Sequence, residues 1–352
     1  MTANLPNPLR VVVAEDSPTA RRLLVEILRA DPTMKVVGEA KDGAEAVELT
    51  HRLRPHLVTM DIQMPNMDGL EATKRIMTEV PTPVVVVSTL VERDIQTSMS
   101  ALRAGALAVL QKLVGPESPD FERESRHLRD TIRAMAGVKV VRHWPERASS
   151  PPSRTVATVG PRTRPAVVAI AASTGGPAAL HRIFSELPAD FPLPILVVQH
   201  IALGFAGGMA EWLGSVTPLT VKVAEDGELL TAGSVYIAPD DRHLGVSVDG
   251  HVQVSNTAPV GGFRPSGTSL FRSVARVYGA GSVALILTGM GQDGLDGLRE
   301  LRQAGGRVLA QDEATSIVFG MPGVAVAAGL ADAVLPLEGI AAQLKELANP
   351  PG

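Results

Sequence analysis

Residues 10–28, RVVVAEDSPTARRLLVEIL, decide the fold: a short apolar run, an acidic turn and an amphipathic segment follow one another directly. Ser17 followed by Pro18 is the signal of a helix N-cap with proline in the first turn. Leu23, Leu24, Ile27 and Leu28 then fall on one helical face. The unit recurs outward along the chain. MKVVGE (34–39), HLVTM (56–60), PVVVVS (83–88) and ALAVL (106–110) complete five candidate strands at even spacing. Ser118 and Pro119 repeat the cap signal before Phe121, Leu128, Ile132 and Met135, which supply a closing helix. A second series runs AVVAIAA (166–172), PILVVQ (194–199), SVYIAP (234–239), SVALILT (282–288) and GRVLAQ (306–311). Val, Ile and Leu runs alternating with amphipathic segments are the pattern of βα units on a parallel sheet. GVSVDGHVQVS (245–255) breaks it: a central Asp-Gly with alternation on both sides predicts a β-hairpin.

Between the two series lies VVRHWPERASSPPSRTVATVGPRTRP, rich in Pro, Ser and Arg and without hydrophobic period, the composition of a linker. The expected domains are therefore 1–139 and 166–352, joined by a linker at 140–165, in keeping with two ordinary domains in 352 residues. Net charge is −1, +4 and −7 over these three stretches. The overall charge of −4 and only 3% aromatic residues argue against a dedicated nucleic-acid binder. Cysteine is absent, which excludes disulfides, thiolate metal sites and a cysteine nucleophile. The amino terminus has no apolar signal core and no run of 18 apolar residues occurs, so the expectation is a cytoplasmic protein with no direct membrane insertion.

In open parallel sheets chemistry gathers at the carboxyl ends of strands. In the first series those positions hold Glu15 and Asp16, Asp61, Ser88 or Thr89, and Lys112. Three converging carboxylates repel one another unless a hard cation lies between them, and Mg²⁺ takes oxygen ligands with room left for phosphate. Ordinary acidic loop ends would explain each residue alone but not the set. Together with DIQMPNMDGLEA after the third strand, the set resembles the receiver domain of bacterial response regulators over residues 9–137. The resemblance implies that Asp61 accepts a phosphoryl group from a sensor histidine kinase and that Glu15, Asp16 and Asp61 hold Mg²⁺. Ser88 would contact the phosphoryl oxygen and Lys112 pair with it. Two positions depart from the receiver pattern: Leu113 stands where proline usually follows the lysine, and Val109 replaces an aromatic of the fifth strand.

In the second series AASTGGPAAL puts Ser173 on a tight turn, with Gly175 and Gly176 allowing the bend and Pro177 opening a helix. A phosphate cradle is an alternative for a Gly-rich turn, although neither G-x-G-x-x-G nor G-K-[ST] is present. PILVVQH ends in His200, and SVALILTGMGQDG runs into a glycine loop holding Asp293. A hydroxyl, an imidazole and a carboxylate at strand ends of one sheet can make an activated serine. Each also has a bland reading: Ser173 as a helix cap, His200 as a satisfied strand-end histidine, Asp293 as the cap of a helix near Leu295.

IAASTGGPAAL, VVQHIALGFAGGMAEWL, VYIAPDDRHL, ILTGMGQDGLDGL and AQDEATSIVFGMPGVAVAAGLADAVLPL together resemble the catalytic domain of chemotaxis protein-glutamate methylesterases over nearly all of 166–347. That family shares the receiver, linker and esterase order. The resemblance implies two doubly wound α/β domains with mostly parallel sheets, a five-stranded receiver and a larger esterase domain with a β-hairpin. It implies Ser173 as nucleophile, His200 as general base and acid, Asp293 as its orienting carboxylate, and the Thr174 and Met290 amides as oxyanion donors. The reaction would be hydrolysis of glutamate γ-methyl esters on methyl-accepting chemoreceptors, releasing methanol, with receptor glutamine deamidation also allowed and no cofactor for the ester step. Gly267 and Thr268 stand where the family commonly has Val-Asp. An unphosphorylated receiver covering the esterase crevice would make phosphorylation the activating signal. The competing readings are a phosphorylation-dependent adaptor with a catalytically silent domain and a transcriptional regulator; the acidic second domain, without a basic recognition helix, speaks against the latter.

Overall fold

A computed structural model of the chain describes residues 7–89, 92–113, 115–119, 121–138 and 164–349. The expected linker lies outside the described residues except at Arg164 and Pro165. The chain divides into two compact units, Met1–Ala148 and Ser149–Gly352.

The first unit contains β1 (Leu9–Ala14), β2 (Met34–Ala40), β3 (Leu57–Met60), β4 (Val84–Ser88) and β5 (Ala108–Gln111). They form one parallel sheet in the order β2-β1-β3-β4-β5. Its helices are α1 (Pro18–Arg29), α2 (Gly43–Leu53), α3 (Gly69–Glu79), α4 (Glu92–Arg103) and α5 (Phe121–Ala136). Ser17 caps α1 as expected, its hydroxyl accepting from the Ala20 N–H, but the buried stripe is Leu24, Val25, Ile27 and Leu28, with Val25 in the place expected for Leu23. The Ser118–Pro119 signal precedes α5 as expected: the helix begins at Phe121, whose N–H donates to the Ser118 carbonyl at 3.1 Å. The winding direction reverses between β1 and β3, so a crevice opens where these two strands end.

The second unit contains β6 (Val167–Ala172), β7 (Ile195–Gln199), β8 (Thr220–Val223), β9 (Ser234–Ile237), β10 (His243–Val246), β11 (Val252–Ser255), β12 (Ser282–Ile286), β13 (Arg307–Gln311) and β14 (Ala333–Leu335). Its helices are α6 (Gly176–Ser185), α7 (Ala206–Val216), α8 (Gly267–Tyr278), α9 (Leu295–Gln303), α10 (Met321–Ala327) and α11 (Leu337–Ala348). Seven of the strands make a parallel sheet, β14-β13-β12-β6-β7-β9-β8. The five expected strands form its interior and the two unexpected ones, β8 and β14, are its edges. One face of the interior strands, with Val167, Ala169, Ala171, Leu196, Val198, Ala284 and Ile286, packs under Leu270, Phe271, Val274 and Leu298 of α8 and α9. Val168, Ile170, Val197 and Leu285 alternate with these residues and are equally buried, on the face left to α6, α7 and α11. β10 and β11 form the predicted hairpin as a separate two-stranded sheet, paired from His243↔Ser255 to Val246↔Val252. The loop closes through the Ser247 N–H to the His251 carbonyl at 2.8 Å, with Gly250 at φ +78°. No helix among the described residues is long and apolar enough to cross a membrane.

Candidate functional sites at the strand ends

In the first unit the ends of β1 and β3 bring together Glu15, Asp16 and Asp61, which each offer a carboxylate oxygen within 4.8 Å of the others. Glu15 is fully buried, Asp61 nearly so, and Asp16 is exposed. Lys112, just beyond β5, donates to Asp61 Oδ2 at 2.8 Å and to Glu15 Oε1 at 3.0 Å. The same ammonium lies 3.0 Å from Glu15 Oε2, so it straddles the buried carboxylate. Burial raises the Glu15 carboxyl above its ordinary value, and the neighbouring Asp61 charge raises it further. Burial likewise raises Asp61, against the opposing pull of Lys112. Burial alone would lower the Lys112 ammonium, but the two carboxylates outweigh it and hold the lysine charged. Three hard oxygens within 4.8 Å of one another, two of them on carboxylates whose burial disfavours their charge, fit a small divalent cation. Ser88 ends β4 and is buried beside this crevice, and Thr89, Gln63, Met64 and Thr97 line its mouth. Val109 lies buried in β5, so no ring occupies that position.

In the second unit strand register does the assembly. Ala172 pairs with Gln199, so Ser173 and His200 leave adjacent parallel strands side by side. The Ser173 N–H donates to the Thr288 carbonyl beyond β12, placing the third strand end against the same turn. His200 Nε2 meets Asp293 Oδ2 at 2.9 Å. Asp293 is 6% exposed and accepts four further bonds, from Ser266 Oγ and the Gly267, Thr268 and Gly294 amides. Burial would raise its carboxyl, but His200, Ser266 and Gly267 more than offset this and hold it at about 2. It is therefore an anion at neutral pH and can only accept, which puts the imidazole hydrogen on Nε2 and leaves a lone pair on Nδ1. His200 Nδ1 is buried and has no hydrogen-bond partner among the described residues. Ser173 and His200 are adjacent but not hydrogen-bonded to each other, a spacing common before substrate binds. Phe263 stacks on the His200 ring at 4.4 Å and 5° and remains 37% exposed, so it walls one side of the imidazole.

The bland readings of the three residues do not hold. α6 is entered through Gly175 at φ +80° with no side-chain cap, so Ser173 caps nothing. α9 likewise lacks a side-chain cap, and Asp293 instead receives the first amides of α8. Gly267 and Thr268 thus hold Asp293 directly through their main-chain N–H groups. A Cβ at Gly267 would lie 2.7 Å from Ala171 Cβ, so the glycine brings the start of α8 flush against β6. Gly176 was expected to permit the bend, yet only Gly175 has a positive φ; a Cβ at Gly176 would fall 1.9 Å from Gln199 Oε1.

Thr174 and Met290 flank Ser173. Their N–H groups have no acceptor among the described residues, and Gly289 packs so closely that a Cβ there would sit 2.6 Å from Ser173 Cβ. Sequence reasoning overlooked Ser266, Thr288, Phe263 and Gln199. Ser266 was findable as a cap signal, because Arg-Pro-Ser before an amphipathic run starts a helix, and it does cap α8. Phe263 carried no signal, since its partner is remote in sequence.

Residues 168–344 match the CheB methylesterase family and residues 11–118 match the response regulator receiver domain. The chain is 70% identical over 340 residues to protein-glutamate methylesterase/protein-glutamine glutaminase 4 of Myxococcus xanthus, covering 96% of each chain. It is 58% identical over 338 residues to protein-glutamate methylesterase/protein-glutamine glutaminase 3 of Anaeromyxobacter dehalogenans, covering 96% of this chain and 98% of the relative. It is similar to the crystal structure of the Thermotoga maritima CheB methylesterase catalytic domain, at 42% identity and a TM-score of 0.51, over 53% of this chain and 100% of that one.

Proposed function

The chain belongs to the CheB methylesterase family, and from that premise we propose that Ser173 is the nucleophile with which this hydrolase cleaves glutamate γ-methyl esters. The observation that carries the assignment is the His200–Asp293 pair at 2.9 Å, which leaves a bare Nδ1 on the strand end beside Ser173. As Ser173 Oγ bonds to the γ-carbonyl carbon, its proton passes to His200 Nδ1 and the carbonyl electrons move onto oxygen. The resulting oxyanion takes the Thr174 and Met290 N–H donors. The methoxy C–O bond then breaks, Nδ1–H protonates it, and methanol leaves an acyl-serine. Water repeats the sequence: its proton goes to Nδ1, its oxygen bonds to the acyl carbon, and Ser173 Oγ recovers the proton as the glutamate side chain departs. Asp293 stays ionised throughout and stabilises the imidazolium. An amide carbonyl forms the same tetrahedral oxyanion, so glutamine deamidation with loss of ammonia falls within reach of this site.

The substrates are the methylated side chains of methyl-accepting chemoreceptors, acted on from the cytoplasm. Residues 1–139 are the receiver, 140–165 the linker and 166–352 the methylesterase domain. In the receiver Asp61 takes a phosphoryl group from a sensor histidine kinase, with Ser88 and Lys112 on the phosphoryl oxygens. Glu15, Asp16 and Asp61 would hold Mg²⁺, which when bound supplies positive charge for the transferring group. Lys112 meanwhile keeps Asp61 oriented and compensated.

Methanol release from methylated receptor membranes tests the reading: Ser173→Ala should abolish it while the protein still folds, and near-normal release would overturn the assignment. A catalytically silent adaptor would leave Ser173 unlabelled by a fluorophosphonate. Phosphorylation of Asp61 should raise the rate, and residues 166–352 alone should outrun the unphosphorylated chain; equal rates would refute control by the receiver.

A further inference from the structure

We propose that Gln199 is a positioning residue that aims the Thr174 N–H at the oxyanion. The inference rests on the roles given above to Ser173 and Thr174 and adds to them the group that orients the donor. Gln199 ends β7 immediately before His200 and is 4% exposed. Its Nε2 donates to two carbonyls, that of Ser173 at 2.7 Å and that of His200 at 2.8 Å. Only the NH₂ end of an amide can serve two carbonyls, so the chemistry fixes which end faces them. One side chain therefore spans the nucleophile's turn and the base's strand end.

The consequence for Thr174 follows from peptide geometry. In a trans peptide the carbonyl and the next N–H share a plane and point in opposite directions. The Ser173 carbonyl is held from the interior by Gln199 Nε2 and by the Gly176 N–H at 2.8 Å. The Thr174 N–H of the same peptide is thereby turned away from the interior, and it has no acceptor of its own among the described residues. The next plane is fixed as well, because Thr288 Oγ1 donates to the Thr174 carbonyl at 2.9 Å. The Met290 donor obeys the same rule by other means. Its peptide carbonyl, on Gly289, accepts from the Gly320 and Met321 amides at 3.1 and 2.8 Å, so main chain alone sets that plane. Of the two donors, only the one at Thr174 has its plane set by a side chain from a neighbouring strand.

Two features show that the amide is kept for its donors. Gln199 Oε1 is buried without a partner, so the side chain is not there to satisfy itself. Gly176 makes room for it, since any Cβ would collide with that oxygen. Both residues are accommodated at a cost that a purely apolar packing residue would avoid.

The test uses the full chain and methylated receptor membranes, with turnover expressed per serine that reacts with a fluorophosphonate, so that misfolded protein drops out of the count. Gln199→Met keeps volume and loses both donors. Its kcat per reactive serine should fall about 100-fold with KM within about twofold of the parent, because the oxyanion contact exists only in the transition state. Affinity for a peptide boronic acid, whose tetrahedral adduct places an oxygen at the same donors, should fall in parallel. Gln199→Glu, which preserves shape but turns acceptors toward two carbonyls, should show the same split. Turnover per reactive serine within about threefold of the parent in both variants would overturn the proposal. Ser173→Ala run alongside separates the layers: retained release there removes the serine assignment itself, whereas lost release there with unchanged Gln199 variants removes only the clamp.

Discussion

Glu15 and Asp61 in the first unit and Asp293 in the second are all buried carboxylates in the loops that follow parallel strands, yet their acidities are displaced in opposite directions. The first pair has its carboxyls raised and shares a single lysine; Asp293 is held at about 2 by the imidazole, a hydroxyl and three amides. The difference lies in where the donors come from. Asp293 receives them permanently from α8 and from its own loop, so its charge is part of the folded state. Glu15 and Asp61 receive one main-chain N–H each, from Ser17 at 3.3 Å and Ile62 at 2.7 Å, too few to offset burial, so it is a bound cation that would favour their charged forms. A buried carboxylate wired to main chain is suited to steady catalysis, and one left short of donors is suited to switching.

The strongest way to sharpen this contrast is to remove the Ser173 hydroxyl. Ser173→Ala should lower methanol release by about 10⁴-fold or more while leaving the thermal unfolding midpoint within a few degrees of the parent. Asp293→Asn comes next, with a loss of about 10³- to 10⁴-fold from the wrong imidazole tautomer. This variant should also lose about 2 kcal/mol of stability at neutral pH, the worth of depressing a carboxyl from 3.8 to about 2. The sign is set by the depression: the contribution is complete above 3.8 and disappears as pH falls through about 2, so the variant's acid unfolding curve should be flatter across that window. Chemical denaturation at several pH values reads both effects.

In the first unit the same kind of change should act in reverse. Glu15 and Asp61 have raised carboxyls, so in the metal-free protein they oppose folding once ionised, and that penalty is relieved as pH falls through their folded values. Asp61→Asn should therefore raise the receiver's unfolding midpoint, by about 5 °C, while abolishing stimulation of methanol release by a small phosphodonor. A lowered midpoint would break the contrast between the two carboxylate environments. The smallest effect is expected at the wall of the His200 imidazole: Phe263→Ala should raise KM for receptor ester about tenfold and leave fluorophosphonate labelling of Ser173 intact. Unchanged steady-state kinetics would show that the stacked ring does not shape the substrate side of the site.

The interior of both sheets was legible because uninterrupted Val, Ile and Leu runs have few other uses in a chain of this composition. β8 and β14 were not, because an edge strand is covered on fewer sides: Thr220–Val223 carries a lysine and is mostly half-exposed, and Ala333–Leu335 spans three residues. Ser173, His200 and Asp293 could be found as reactive side chains after strands. Gln199 could not, since a neutral amide at a strand end announces no chemistry until the two carbonyls it reaches are known. Gly267 and Thr268 looked like departures from a family pattern; only the closing of α8 onto Asp293 gave them a purpose.

The hairpin of the second unit offers an experimental handle. Val248 in its closed loop is 90% exposed, the loop is pinned by its own Ser247–His251 bond, and Ser273 of α8 anchors β10 through both the N–H and the carbonyl of Val246. The chain contains no cysteine. Val248→Cys would therefore introduce a single thiol on a rigid mount, and one fluorophore attached there would label every molecule at a known address. Its anisotropy and accessibility to a soluble quencher could then follow receptor engagement in real time, without a background of competing labels to subtract.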